Sequence, residues 1–208
     1  MSMRIAAVQK HSLIDYPGTI ACVIFTYGCN FRCWYCQNHW LVLSNSKSNT
    51  VEPESVLNFL KNRVGWLDGV VISGGEPTIQ PDLPLFIEQI KRLGYRVKLD
   101  TNGSNPKMLR YLIDSKLVDF IAMDVKALPL AGSYSKVIEL PDSKIVELVR
   151  QSIDILVKSN IDFQFRITWP PDKPKTEIGA IEQFLSGHKL HVNELTLENG
   201  ILADYLTS

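Results

Sequence analysis

Residues 19–38 read TIACVIFTYGCNFRCWYCQN. The first eight are mostly apolar, β-branched or aromatic, which predicts a short buried strand. The polar loop that follows carries Cys29, Cys33 and Cys36 in C-x3-C-x2-C spacing. A strand that delivers a side-chain-rich loop from its C-terminal end is how parallel α/β sheets build sites, so the rest of the chain is read for repeats of that unit.

The repeats are there. Further strand candidates occur at 69–73 (GVVIS), 95–99, 118–125, 162–168 and 191–197. Between them, helical periodicity spans 52–63, 81–92 with Leu83, Phe86, Ile87 and Ile90, 105–115 with Met108, Leu109 and Leu112, 142–158 with Ile145, Leu148, Val149, Ile153 and Leu156, and 176–186. Apolar residues at i, i+3 and i+4 suit helices that cover a sheet. Six strands rather than eight predict an α/β fold that is either an open partial barrel or a doubly wound sheet. The longest irregular stretch, 127–143, and the Pro-rich WPPDKPK at 169–175 do not divide the chain, so residues 1–208 are expected to form a single domain.

Composition narrows the function. Of 208 residues, 45% are hydrophobic, enough for a sizeable core, and 22 basic residues balance 22 acidic ones. With no basic run beside stacking aromatics, nucleic acid is not expected as a partner. No apolar stretch approaches the roughly 18–20 residues of a spanning helix, and MSMRIAAVQKHS lacks the pattern of a secretory signal, so no membrane association and a cytoplasmic location are expected. All four cysteines, Cys22 included, fall before residue 37, which suits ligation or redox chemistry in a reducing compartment better than a disulfide scaffold. Neither a Walker phosphate loop nor a Rossmann triple-glycine pattern is present.

Three clustered thiolates hold zinc if a fourth ligand joins them, or hold three irons of a four-iron cluster. Spacing alone does not choose. Cys22, inside the first strand, reads as a buried small hydrophobe. Polar groups recur at the ends of the other strands: Gly74, Gly75 and Glu76 after the second, Asp100 and Thr101 after the third, Asp124 and Lys126 after the fourth. Gly74, Gly75 and Glu76 read either as a Gly-rich turn with a capping carboxylate or as glycines that let backbone approach an ammonium while Glu76 supplies compensating charge. Arg166 interrupts the largely apolar DFQFRIT, either projecting into the barrel or lying on the polar face of an edge strand. His11, His188 and His191 show no ligand spacing.

On these residues the sequence resembles the radical S-adenosylmethionine enzymes. The resemblance implies a partial (β/α)6 open barrel in which Cys29, Cys33 and Cys36 hold a [4Fe-4S] cluster, leaving one iron open for S-adenosylmethionine. Tyr35, immediately before the last cysteine, would then pack near the adenine, and Gly74, Gly75 and Glu76 would meet the methionine end. Residues 12–18 (SLIDYPG), Asp100-Thr101-Asn102-Gly103 and Met123-Asp124-Val125-Lys126 are similar to phrases of the glycyl-radical enzyme activating proteins, including those serving anaerobic ribonucleotide reductase and pyruvate formate-lyase. That narrower resemblance implies electrons from a ferredoxin or flavodoxin-like donor, a 5′-deoxyadenosyl radical, and hydrogen abstraction from a glycine of a partner enzyme. It also implies a monovalent-cation site at Asp100, Thr101 and Asp124, and a cofactor contact for Arg166. Gln37-Asn38 departs from the His-Asn pair common in activases. The 7-carboxy-7-deazaguanine synthases share the cysteine and Gly-Gly-Glu-Pro loops, often continuing with Asp-Thr, and form the alternative enzyme reading. A nonenzymatic metal-binding module leaves the loops after the second to fourth strands unexplained.

Overall fold

A computed structural model describes residues 3–43, 50–130, 132–141, 143–171 and 173–196. Seven strands form one sheet in sequential order: β1 (Ile5–Ser12), β2 (Ala21–Thr26), β3 (Gly69–Gly74), β4 (Arg96–Thr101), β5 (Phe120–Asp124), β6 (Asp162–Trp169) and β7 (Leu190–Glu194). Strands β2 to β7 pair in parallel, giving the six strands expected. They form the partial (β/α)6 barrel, to whose edge β1 adds an antiparallel strand paired with β2. The sequence reading missed β1. Its IAAVQKHS has no clean alternation and is largely solvent-facing, so its pairing with β2 rather than its own propensity makes it a strand.

Helices α2 (Pro53–Lys61), α3 (Leu83–Arg92), α4 (Pro106–Asp114), α6 (Ser143–Val157) and α7 (Thr176–Phe184) occupy the expected stretches. Two short ones, α1 (His39–Leu43) and α5 (Ser135–Ile138), were not expected. Proline in the first turn of α2, α3 and α4 costs no hydrogen bond there, and Asn105 caps α4 by accepting from the Met108 N–H at 3.2 Å. The expected strand at 191–197 is Leu190–Glu194; its last position, Leu197, and the expected helix start Asp142 lie outside the described residues.

Alternation along the strands separates two faces. Cys22, Ile24, Val70, Ile72, Val97, Leu99, Ile121 and Met123 join the main core with the apolar stripes of the helices, including Leu83, Phe86, Ile87, Ile90, Leu109 and Leu112. The opposite face lines the barrel. At its N-terminal end Tyr16, Ala21, Val23 and Val71 form a separate apolar cluster against Phe25 and Phe120. Tyr16 belongs to SLIDYPG; its fully buried ring stops that end of the barrel, 5.9 Å from the Phe120 ring and 5.1 Å from the Arg96 guanidinium. Toward the C-terminal end the same face turns polar: Ser73, Asp100, Asp124, Arg166 and Thr168.

Candidate functional site

The loops at the C-terminal ends of the parallel strands enclose a cavity of about 190 Å³. Its walls hold Cys29, Cys33, Tyr35 and Cys36 after β2, Gly74, Gly75 and Glu76 after β3, Asp100 and Thr101 of β4, and Asp124 and Lys126 of β5. Eleven residues separated by up to 97 positions therefore meet in one space, and Arg166 reaches its wall through Asp100 and Asp124. Cys22 does not line it. On the helix-facing side of β2, Cys22 is fully buried and its thiol is pushed up to about 12 by that burial.

The cysteine loop is held from several sides. Arg32 donates through Nη1 to the carbonyls of Cys29 (2.8 Å) and Phe31 (2.9 Å). The N–H groups of Arg32 and Trp34 donate to the carbonyls of Ile138 and Val137, so short helix α5 seats the loop. Gln37 donates to the Thr196 carbonyl at 2.6 Å, tying the loop to the chain beyond β7. Burial pushes the Cys29 thiol up to about 12 and the Cys33 thiol to about 11, and raises Cys36 too; the Lys126 ammonium pulls each of the three back down. All three are free thiols. Among the described residues no three His, Cys, Asp or Glu side chains meet around a single point as a one-ion site. A mononuclear zinc needs four ligands, whereas a four-iron cluster takes one thiolate per iron, so three cysteines leave its fourth iron open.

Tyr35 is almost fully buried, its ring 5.3 Å from that of Trp34 and 6.0 Å from the Lys126 ammonium. Its hydroxyl has no hydrogen-bond partner among the described residues. Such an orphan on a cavity wall fits a polar ligand.

Glu76 acts as a capping carboxylate on the turn after β3. Its fully buried carboxylate accepts at Oε1 from the Thr78 N–H (3.1 Å), the Thr78 hydroxyl and the Thr101 hydroxyl (2.7 Å), and at Oε2 from the Asn102 N–H (2.7 Å). Burial raises its pKa and these donors pull it back. The side chain thus ties the loop after β3 to the loop after β4. The glycines before it serve close approach of two backbones: a Cβ on Gly75 would stand 1.9 Å from the Gly28 carbonyl oxygen, and one on Gly74, at φ +121°, 2.2 Å from the Thr26 nitrogen. There the Gly75 N–H donates to Thr26 (2.9 Å) and the Glu76 N–H to Gly28 (2.8 Å). Beside this tie, Asn102 donates to the Asn30 side chain at 3.0 Å, and Asn30 donates to the Ser104 hydroxyl at 2.7 Å.

Arg166 lies in register with Asp124 across the β5–β6 ladder and has β7 beyond it, so its strand is internal. Its Nε donates to Asp124 Oδ1 at 2.9 Å and its Nη1 to Asp100 Oδ2 at 3.3 Å; Lys126 Nζ stands 3.3 Å from Asp124 Oδ2. Burial alone would raise the Asp124 pKa, but Arg166 and Lys126 outweigh it and hold the carboxyl at about 2. Sequence reasoning passed over Lys98. It is 1% exposed, one pleat below Asp100 on the barrel-lining face, with Nζ 2.5 Å from Asp100 Oδ1. A charged residue two positions before Asp100, between the buried Val97 and Leu99, was the signal. Asn30 and Ser104 left none, because their partners are distant in sequence.

The Radical SAM superfamily model matches residues 23–185. A putative glycyl-radical enzyme activating enzyme of Methanocaldococcus jannaschii is 41% identical over 129 residues, 61% of this chain and 51% of that protein. A 7-carboxy-7-deazaguanine synthase of Neisseria meningitidis is 31% identical over 114 residues, 55% of this chain and 47% of that protein. The chain thus spans about half the length of these curated relatives. Among solved structures, TYW1 with a lysine-pyruvate adduct bound superposes with a TM-score of 0.63 at 16% identity, covering 86% of this chain and 66% of that one. SuiB of Streptococcus suis bound to S-adenosylmethionine gives 0.60 at 16% identity, covering 89% and 46%; at such identities the likeness shows the fold. With the model match spanning most of the barrel, the chain belongs to the radical SAM superfamily.

Proposed function

We propose that the protein is a glycyl-radical enzyme activase working on an anaerobic ribonucleotide reductase. The observation that carries the chemistry is the meeting of Cys29, Cys33 and Cys36 with the loops after β3, β4 and β5 in one cavity. Three soft, unpaired thiols fit a [4Fe-4S] cluster that keeps one iron for S-adenosylmethionine. When bound, the pair would supply a 5′-deoxyadenosyl radical and methionine, with one electron from a ferredoxin or flavodoxin-like donor breaking the C5′–sulfur bond, and that radical would take an α-hydrogen from a partner glycine to leave 5′-deoxyadenosine and a glycyl radical.

The chain's own residues bind and orient. Lys126 sets a positive charge beside the thiolates, Tyr35 offers a buried ring and hydroxyl for the adenine, and Arg166, steered by two carboxylates, presents its guanidinium toward the methionine carboxylate. Gly74, Gly75 and Glu76 shape the backbone at the methionine end. A glycyl-radical enzyme as the partner is supported by the M. jannaschii relative and by SLIDYPG, DTNG and MDVK. No helix among the described residues is long and apolar enough to cross a membrane.

The deazaguanine synthase relative makes a second reading specific. Reconstituted protein, dithionite and S-adenosylmethionine are mixed anaerobically with candidate reductase and formate-lyase partners. The expected result is 5′-deoxyadenosine by chromatography and a partner glycyl doublet by electron paramagnetic resonance, both absent in Cys33→Ala. Conversion of 6-carboxytetrahydropterin with no doublet from any partner would overturn the activase reading.

A further inference from the structure

The monovalent-cation site expected at Asp100, Thr101 and Asp124 does not fit the residues present. The Thr101 hydroxyl is committed, donating to Glu76 and accepting from the Gly103 N–H at 3.1 Å. Both oxygens of each carboxylate face protein cations. Lys98 Nζ takes Asp100 Oδ1; Arg166 Nη1 takes Asp100 Oδ2, which also accepts from the Ser73 hydroxyl at 3.0 Å; Arg166 Nε takes Asp124 Oδ1; Lys126 Nζ takes Asp124 Oδ2. Three cations, Lys98, Arg166 and Lys126, thus surround the Asp100 and Asp124 carboxylates. A further cation would enter a site whose four carboxylate oxygens already face protein cations close enough to repel it.

Lys98 explains how the arrangement is sustained. A buried ammonium is tolerated only when paired, and this one is covered by the barrel wall and aimed at a carboxylate oxygen on the floor of the cavity. Its tether holds the charge there at every salt composition. We infer that Lys98 is a built-in monovalent cation: its ammonium holds Asp100 in place of an exchangeable ion, and Asp100 in turn positions Arg166. Sodium and potassium then have no specific effect on this protein. Only the cofactor-affinity measurement below rests on the proposed function; ion binding and stability do not.

The test compares wild type with Lys98→Met, which keeps the stem's length and apolar character and removes the charge. Reconstituted protein and apoprotein are unfolded thermally in potassium, sodium and tetramethylammonium chloride at one ionic strength, and thallium-205 resonance reports ion binding directly. Wild type is expected to melt at one temperature in all three salts, to leave the thallium line unbroadened, and to bind S-adenosylmethionine within twofold in each. Lys98→Met is expected to melt several degrees lower in tetramethylammonium, to recover in potassium or sodium, to broaden thallium, and to weaken cofactor binding at least tenfold where the small cation is missing. Stabilisation of wild type by potassium or sodium, removed by Asp100→Asn, would overturn the inference, and so would a folded Lys98→Met indifferent to the ion. If Lys98→Met does not fold, the wild-type measurements decide alone. Loss of cofactor binding in every salt and in both proteins would instead overturn the proposed function.

Discussion

Replacing Glu76 by glutamine tests whether that side chain is a structural tie or a ligand for the cofactor. Its two oxygens face two backbone donors, Thr78 N–H on Oε1 and Asn102 N–H on Oε2, neither of which can turn into an acceptor. Whichever way the amide is placed, its NH2 meets one of these N–H groups, so one buried donor loses its partner. An orphaned buried donor costs about 1–3 kcal/mol and a charge-assisted bond is worth about 1.5–3 kcal/mol, while removing a buried charge returns part of its desolvation. The net expectation is about 3 kcal/mol, which for a chain of this length lowers Tm by roughly 6–12 °C. Scanning calorimetry of apo wild type and Glu76→Gln reads this without cluster or cofactor. A Tm within a degree of wild type would refute the reasoning, and if S-adenosylmethionine affinity then fell more than tenfold, Glu76 would be a cofactor ligand and not the tie between β3 and β4.

Other substitutions probe separate parts of the site. Gly75→Ala sets a methyl against the Gly28 carbonyl, a backbone atom that cannot rotate away, so two loop hydrogen bonds must open; about 2–4 kcal/mol of stability should be lost, measured by urea unfolding, and a neutral result would contradict the close approach. Cys22→Ala should cost about 1 kcal/mol and leave iron and sulfide content at the wild-type level, whereas Cys29→Ala should lose cluster iron while still folding. Asp124 has its pKa depressed from 3.8 to about 2 by Arg166 and Lys126 against the opposing effect of burial. Its stabilising contribution is therefore complete above about pH 4 and lost as pH falls through 2. In Asp124→Asn the acid limb of apoprotein stability should be flatter across that window; an unchanged limb in circular dichroism titrations would show that the ion pairs do not hold in solution.

Much of the fold is legible because parallel β/α architecture is written in local pattern. GVVIS must be a buried strand, LPLFIEQIKR must be a one-faced helix, and their alternation leaves few topologies open. The exposed edge β1 escaped because nothing in IAAVQKHS marks it apart from its pairing to β2. Short helix α5 escaped because its four residues carry no periodicity, and what fixes it is the main-chain bonding that supports the cysteine loop. Within the site, residues clustered in motifs were found, and several that act through distant partners were not. Asn30 meets Ser104 across 74 positions, and Gln37 meets Thr196 across 159.

By itself the sequence determined the chemistry on offer: three thiols in one loop, polar groups at successive strand ends, and a repeating pattern that must bring those ends to one mouth. Side-chain type and spacing along a chain are covalent facts, so they can be read without a fold. Only tertiary structure decided which charge faces which. Strand register, a property of two strands at once, sets Arg166 opposite Asp124 and makes its strand internal. The pleat places Lys98 beneath Asp100, and the crossing of β2 and β3 loops makes Gly74 and Gly75 spacers for backbone. Electrostatics and close packing depend on distance in space, and the chain folds that distance into existence.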